Sequence, residues 1–207
     1  SIEEIAETIA DYRKAAENAK QAGFDGVEIH GANGYLPEQF LHSSTNQRSD
    51  HYGGSIENRA RFMLEAVDAA ISVWGADRVG LHLSPQGDAH DAGDDTPEAT
   101  YRYLAEQCRE RGLAFLFLRE TLDTDKRLTP IIKEVFGNGV IANQGLTKEN
   151  AQSLLAEKQA DAVSFGQLFI SNPDLPKRLA EDSPLNEPNP STYYGDGPEG
   201  YTDYTFS

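Results

Sequence analysis

The stretch Gly23-Phe24-Asp25-Gly26-Val27-Glu28-Ile29-His30-Gly31-Ala32-Asn33-Gly34-Tyr35 decides the fold. Upstream of it, Ile5, Ile9, Tyr12, Ala16 and Ala19 recur at helical spacing, which predicts a helix over residues 1–22. Ser1 with Glu4 reads as a capping box at its start, and Gly23 as its stop. Residues 26–30 then read as a short apolar strand. A helix that runs straight into such a strand is half of the repeating module of α/β proteins.

The module recurs outward from there. A long loop over 31–54, with a short helix at 37–41, leads to a helix that begins near Ser55 and stops at Gly75. Strands are predicted at 79–83, 114–118, 139–143 and 162–166. Between them lie a helix opened by Thr96-Pro97 and followed by Gly112, and helices over 128–135 and 147–158. Asn172-Pro173 opens a last helix. The strands read as apolar on both faces, as a parallel sheet covered by helices requires. The expected class is α/β, of (β/α)8 TIM-barrel type, with about five C-terminal βα units present, since a closed barrel has eight and typically about 250 residues. These units occupy 1–182, and a Pro-, Gly- and Tyr-rich ordered or semi-ordered tail follows over 183–207. Position 1 is Ser rather than Met, which fits a trimmed chain. The expectation is therefore a piece whose open sheet edges are met by a missing N-terminal barrel segment or by self-association.

Net charge is −16 over 207 residues, which disfavours nucleic acid and anionic membrane surfaces as partners. No run approaches 18 apolar residues, so no membrane span is expected. A single cysteine, Cys108, excludes an internal disulfide and points to a cytoplasmic location. Its helical spacing from Leu104 predicts a buried, inert thiol.

In parallel α/β folds the chemistry sits at the C-terminal ends of strands. The first strand ends in His30, with Asn33 and Tyr35 close behind. His30 and Asn33 can both donate to a substrate oxygen, and Tyr35 can act as a general acid. A loop-satisfying histidine and a rim tyrosine fit the same spacing. His82, Asp88, His90, Asp91, Asp94 and Asp95 crowd into one stretch, but their spacing matches no standard zinc pattern, and no metal is expected. His42 and His51 read as loop or rim residues.

The quoted stretch is followed by Leu36, Gln39-Phe40-Leu41, Asn46-Gln47-Arg48-Ser49-Asp50 and Tyr52-Gly53-Gly54-Ser55-Ile56-Glu57-Asn58-Arg59-Ala60-Arg61. Together they closely resemble the Old Yellow Enzyme family of FMN-dependent NAD(P)H ene-reductases. The resemblance continues through Trp74, Asp77-Arg78-Val79-Gly80, Ser84-Pro85, Phe165-Gly166, Asn172-Pro173-Asp174-Leu175 and the tail to Tyr204, and so covers essentially the whole chain.

The resemblance implies FMN as cofactor, NADPH or NADH as reductant, and a small activated alkene as substrate. It places substrate-oxygen binding on His30 and Asn33, protonation on Tyr35, and substrate lining on Tyr194. Flavin contact falls on His82, and phosphate binding on backbone N–H groups of Gln144, Gly145, Gly166 and Gln167. Many members carry Arg where this chain has His82 and Gln167, which leaves fewer charges for the cofactor and makes the contact at His82 pH-dependent. The alternatives are a truncated, non-catalytic half-barrel that self-associates without flavin, and a metal-dependent hydrolase on the acidic loop.

Overall fold

A computed structural model describes residues 1–87, 93–123 and 126–207. The elements run α1 (Ile2–Gln21), β1 (Val27–Gly31), α2 (Leu36–Leu41), α3 (Ile56–Trp74), β2 (Val79–Leu83), α4 (Pro97–Arg111), β3 (Phe115–Arg119), α5 (Thr129–Phe136), β4 (Gly139–Asn143), α6 (Lys148–Ala156), β5 (Ala162–Val163), α7 (Gln167–Ser171) and α8 (Leu175–Glu181). Among the described residues the strands form one five-stranded sheet in the order β1-β2-β3-β4-β5. Every pairing is parallel, with His30 opposite His82 and Arg119 opposite Asn143. These are consecutive βα units of a (β/α)8-type barrel. No described helix is long and apolar enough to cross a membrane.

The chain divides into two compact units. The larger comprises Ser1–Gly145 and Leu154–Val163, the smaller Leu146–Ser153 and Ser164–Ser207. In the larger unit the expected signals close the helices. Ser1 Oγ accepts from Glu4 N and Glu4 caps the terminal amine in return, completing the capping box. Gly112 ends α4 in the left-handed conformation. One face of the sheet is buried: Ile29, Leu81, Leu83, Leu116, Leu118 and Val140 pack with Ala60, Met63, Val67, Ala70, Leu104, Cys108 and Ile132 from the helices. Truncating one such Leu to Ala costs about 2–5 kcal/mol. Cys108 is fully buried on α4, and burial pushes its thiol up to about 12.

The other face departs from the expectation of apolar residues on both sides. There the side chains alternate as Glu28 and His30 on β1, His82 on β2, Phe115, Phe117 and Arg119 on β3, and Ile141 and Asn143 on β4; none of these is fully buried. Gly80 completes this face, where a Cβ would stand 2.3 Å from the Phe115 ring, so glycine lets that ring lie across β2. His30 and His82, two of the candidate site residues, lie on this face.

A further departure concerns the end of an element. The fifth strand is Ala162–Val163 rather than 162–166, and α7 follows at once from Gln167. In the smaller unit the tail is tied down by side-chain bonds. Arg178 donates to Thr205 O at 2.6 Å, and Ser207 N donates to Asp174 Oδ2 at 2.8 Å.

Candidate active site

β1 delivers His30 to the mixed face, and the turn after it brings round Asn33 and Tyr35. Asn33 has φ 59°, a left-handed conformation that Asn tolerates better than most residues. Its backbone N–H donates to Ser84 Oγ at 2.8 Å, and Ser84 in turn donates to Glu38 Oε1 at 2.5 Å. Gly34 N donates to the other Glu38 oxygen at 2.5 Å. Glu38 is fully buried on α2, so one carboxylate pins the turn from beneath. Tyr101, from α4, hydrogen-bonds His42 Nε2 at 3.1 Å on the far side of this network. His42 is therefore buried in the support of the site, 2% exposed, and is not the rim residue expected. Tyr35 caps α2 in extended conformation, 57% exposed, its ring centroid 5.3 Å from that of His30.

His82 sits beside His30 on β2, with their Nδ1 atoms 3.1 Å apart. One ring must donate and the other accept. Burial, helped by the neighbouring His30 and Arg119, lowers His82 to about 4. Burial also lowers His30, against the attraction of Glu38. Glu28 Oε1 lies 3.6 Å from His82 Nδ1, and burial raises its carboxyl. His82 is thus neutral across the physiological range, and the pH dependence expected of it falls below that range.

A stability prediction follows. The unfolded His82 takes a proton near pH 6.5, while the folded one resists until about 4. Acidification through that window therefore favours the unfolded state. Glu28 works in the opposite direction, because its raised carboxyl takes up a proton first when folded. Thermal melts of wild type and His82→Asn between pH 7 and 4 isolate the histidine: wild type should lose more stability over that range than the variant. Parallel curves would show that His82 has no depressed titration.

Arg119, at the last position of β3, was not singled out from the sequence. Its Nη1 donates to Asn33 Oδ1 at 2.7 Å and its Nε to Gln144 Oε1 at 2.9 Å. The only advance signal was a charge closing the apolar run Phe115-Leu116-Phe117-Leu118. Glu120, next in line, is 4% exposed and caps α5 through Leu128 N at 2.8 Å and Thr129 N at 2.9 Å.

The larger unit thus brings together His30, Asn33, Tyr35, His82 and Gln144. Gln144 and Gly145 both have positive φ, and a Cβ at Gly145 would meet nothing within 4 Å. The remaining expected residues lie in the smaller unit. There Gly166 precedes α7, Gln167 begins it, and Tyr194 is 99% exposed. Of the acidic stretch, Asp88, His90 and Asp91 lie outside the described residues. Asp94 is paired with Arg59 at 3.1 Å, and no described group of three or more His, Cys, Asp or Glu side chains is placed to hold a metal.

Comparison with known proteins agrees with this fold. The family model described as NADH:flavin oxidoreductase / NADH oxidase matches residues 1–186. The 12-oxophytodienoate reductase 2 of Arabidopsis thaliana is 44% identical over 213 residues, covering 99% of this chain and 57% of the relative. A probable flavin mononucleotide-dependent alkene reductase of Leishmania infantum is 44% identical over 212 residues, covering 100% of the chain and 57% of the relative. Among solved structures, morphinone reductase in complex with tetrahydroNAD superposes with a TM-score of 0.96 at 48% identity, over 100% of this chain and 57% of that one. The old yellow enzyme homologue from Zymomonas mobilis gives 0.95 at 42%, over 99% and 60%. The chain thus spans somewhat over half the length of these relatives. With a matched family model over nearly its whole length, and strand-end residues in the arrangement just described, the chain belongs to the NADH:flavin oxidoreductase / NADH oxidase family, the flavin-dependent Old Yellow Enzyme group.

Proposed function

We propose that the protein carrying this chain is an NAD(P)H-dependent flavin ene-reductase acting on α,β-unsaturated carbonyls or nitroalkenes, with nitrate esters as further substrates. The observation that carries this reading is the gathering of His30, Asn33 and Tyr35 on one turn pinned by Glu38. The names of the relatives, reductases of oxophytodienoate, alkenes and morphinone, support it.

The residues fit FMN. His82 Nε2 is buried with no partner among the described residues, and Gly145 faces open space beside its backbone N–H. Gln144 and Gly145 in the larger unit, and Gly166 and Gln167 in the smaller, are each proposed on their own backbone as phosphate donors. FMN held there would, once reduced by NADH or NADPH, supply the hydride. The rest falls to this chain. His30 and Asn33 donate to the substrate oxygen, where negative charge develops, and Tyr35 Oη gives its proton to an alkene carbon. Tyr194 is proposed to line the substrate space. A cytoplasmic location belongs to the same proposal, given the lone, buried thiol.

Flavin titration of the purified protein, followed by enone assays with NADH and NADPH, tests the reading, and a protein that takes up no FMN defeats it. His30→Ala should lower kcat/KM for enones by about 10²–10³, the cost of one lost oxyanion donor. An unchanged rate would return His30 to the role of a loop residue.

The partly exposed Phe115, Phe117 and Ile141 favour a second reading, a truncated non-catalytic half-barrel that self-associates and binds no flavin. Sizing chromatography separates the two, since a monomer that binds FMN tightly rules the second one out.

A further inference from the structure

Arg119 touches two carboxamides at once, Asn33 Oδ1 at 2.7 Å through Nη1 and Gln144 Oε1 at 2.9 Å through Nε. Among the described residues no carboxylate lies within ion-pair distance of it, although the chain carries 34 acidic residues against 18 Lys and Arg. Most of the other arginines in the larger unit are held by carboxylates: Arg59 by Asp94, Arg48 by Asp50, Arg111 by Asp68. Arg119 is spent instead on two neutral amides at the ends of β1 and β4.

The chemistry of the contact has one orientation. A guanidinium has five N–H donors and no acceptor. Whichever side of an Asn or Gln carboxamide faces it must be the oxygen. With Oδ1 turned to Arg119, the edge of the Asn33 amide away from the guanidinium carries its –NH2, and the same holds for Gln144. Without that contact either amide can rotate by half a turn at little cost, and would then present an oxygen that repels the oxygen of a substrate or a phosphate.

We propose that Arg119 is a positioning residue that locks the carboxamides of Asn33 and Gln144 in the donor orientation, so that the site offers N–H groups alone to an oxygen-bearing ligand. For Asn33 this deepens the reading of that residue as a substrate-oxygen donor, and rests on it. The contact spans 86 residues of sequence, from the turn after β1 to the end of β3, and so couples substrate binding to the register of the sheet. Lys cannot replace Arg fully here, because an ammonium is a single point donor and the two amides need a fork.

Two measurements test the proposal. The first needs no activity. In side-chain amide NMR spectra of the chain, the Asn33 and Gln144 –NH2 signals should shift in Arg119→Met, and their exchange with solvent should quicken, while backbone signals away from β3 stay in place. Arg119→Lys should give an intermediate spectrum and guards against a Met variant that folds poorly. The second is a double-mutant cycle in the FMN-loaded enzyme. Arg119→Met should lower kcat/KM for enones about tenfold or more, as a misaligned polar group does. In the Asn33→Ala background the same change should cost less than about twofold, because the residue through which Arg119 acts has gone. Unmoved amide signals, or losses that simply multiply in the double variant, overturn the proposal. Absence of enone reduction in wild type would defeat the functional reading instead, and the amide spectra would then decide the role of Arg119 alone.

Discussion

Tyr35→Phe is expected to slow the alkene half-reaction by about 10²–10⁴, the usual contribution of a positioned general acid, while flavin reduction by NAD(P)H stays close to wild type. The hydroxyl is asked to act only when the substrate carbon is protonated. Quinones, whose reduction needs no proton on carbon, should therefore be reduced almost as before. The substitution is structurally mild. Tyr35 is 57% exposed, and its place at the start of α2 depends on its backbone, whose carbonyl accepts from Gln39 N at 3.0 Å. Stopped-flow measurement of the two half-reactions separates the outcomes. Equal slowing of both, or no slowing of the alkene step, would remove Tyr35 from the chemistry and leave a rim tyrosine.

Arg59→Met should destabilise the fold by about 3–5 kcal/mol, the cost of breaking a buried ion pair from one side. Arg59 reaches three parts of the chain: Leu41 O at 2.8 Å, Gly54 O at 2.7 Å and Asp94 Oδ1 at 3.1 Å. Asp94, with its side chain 1% exposed, would be left as an uncompensated charge. The thermal midpoint should drop by on the order of 10 °C. Neutralising the orphan with Asp94→Asn in the same background should recover much of the loss, because the penalty belongs to the stranded carboxylate more than to the missing contact. Chemical denaturation of the single and double variants checks both statements. Equal stability of wild type and Arg59→Met would show the pair to be solvated in solution.

Much of the architecture was legible because local signals and tertiary packing agree. The capping box at Ser1, the stops at Gly75 and Gly112 and the periodicity of α3 each point to the element that forms. His30, Asn33 and Tyr35 were legible because they lie within six residues of one another at a strand end. What stayed hidden depends on distance along the chain. The partners of Ser84 Oγ and Arg119 lie 46 and 86 residues away, and no local pattern announces such pairs. The mixed face of the sheet was missed for a different reason. Glu28 and His30 alternate with Ile29, and His82 lies between Leu81 and Leu83, so the two-residue period was present. It was masked by the apolar runs of β3 and β4, in which the half-buried Phe115, Phe117 and Ile141 look the same in sequence as fully buried neighbours. β5 is shorter than predicted because the chain turns into α7 directly after Ser164-Phe165-Gly166.

The sheet order β1-β2-β3-β4-β5 has a consequence for how the molecule assembles. Each described strand pairs with the next one along the chain, so none of these pairings waits for a distant segment to be made. The loops to be closed differ in length: β3 to β4 spans only Phe115 to Gly139, whereas β1 to β2 spans Val27 to Val79. Each doubling of such a loop adds only about 0.6 kcal/mol of closure entropy. Of these two pairs β3–β4 is the cheaper to close, and α4 and α5 pack on each other beside it. During synthesis, however, β1 and β2 emerge before β3 and β4, so order of synthesis opposes the small entropic advantage of the later pair. Because β1 is made before β3, the His30 turn exists before Arg119 is there to hold it, and the donor geometry of the site is completed only when β3 docks.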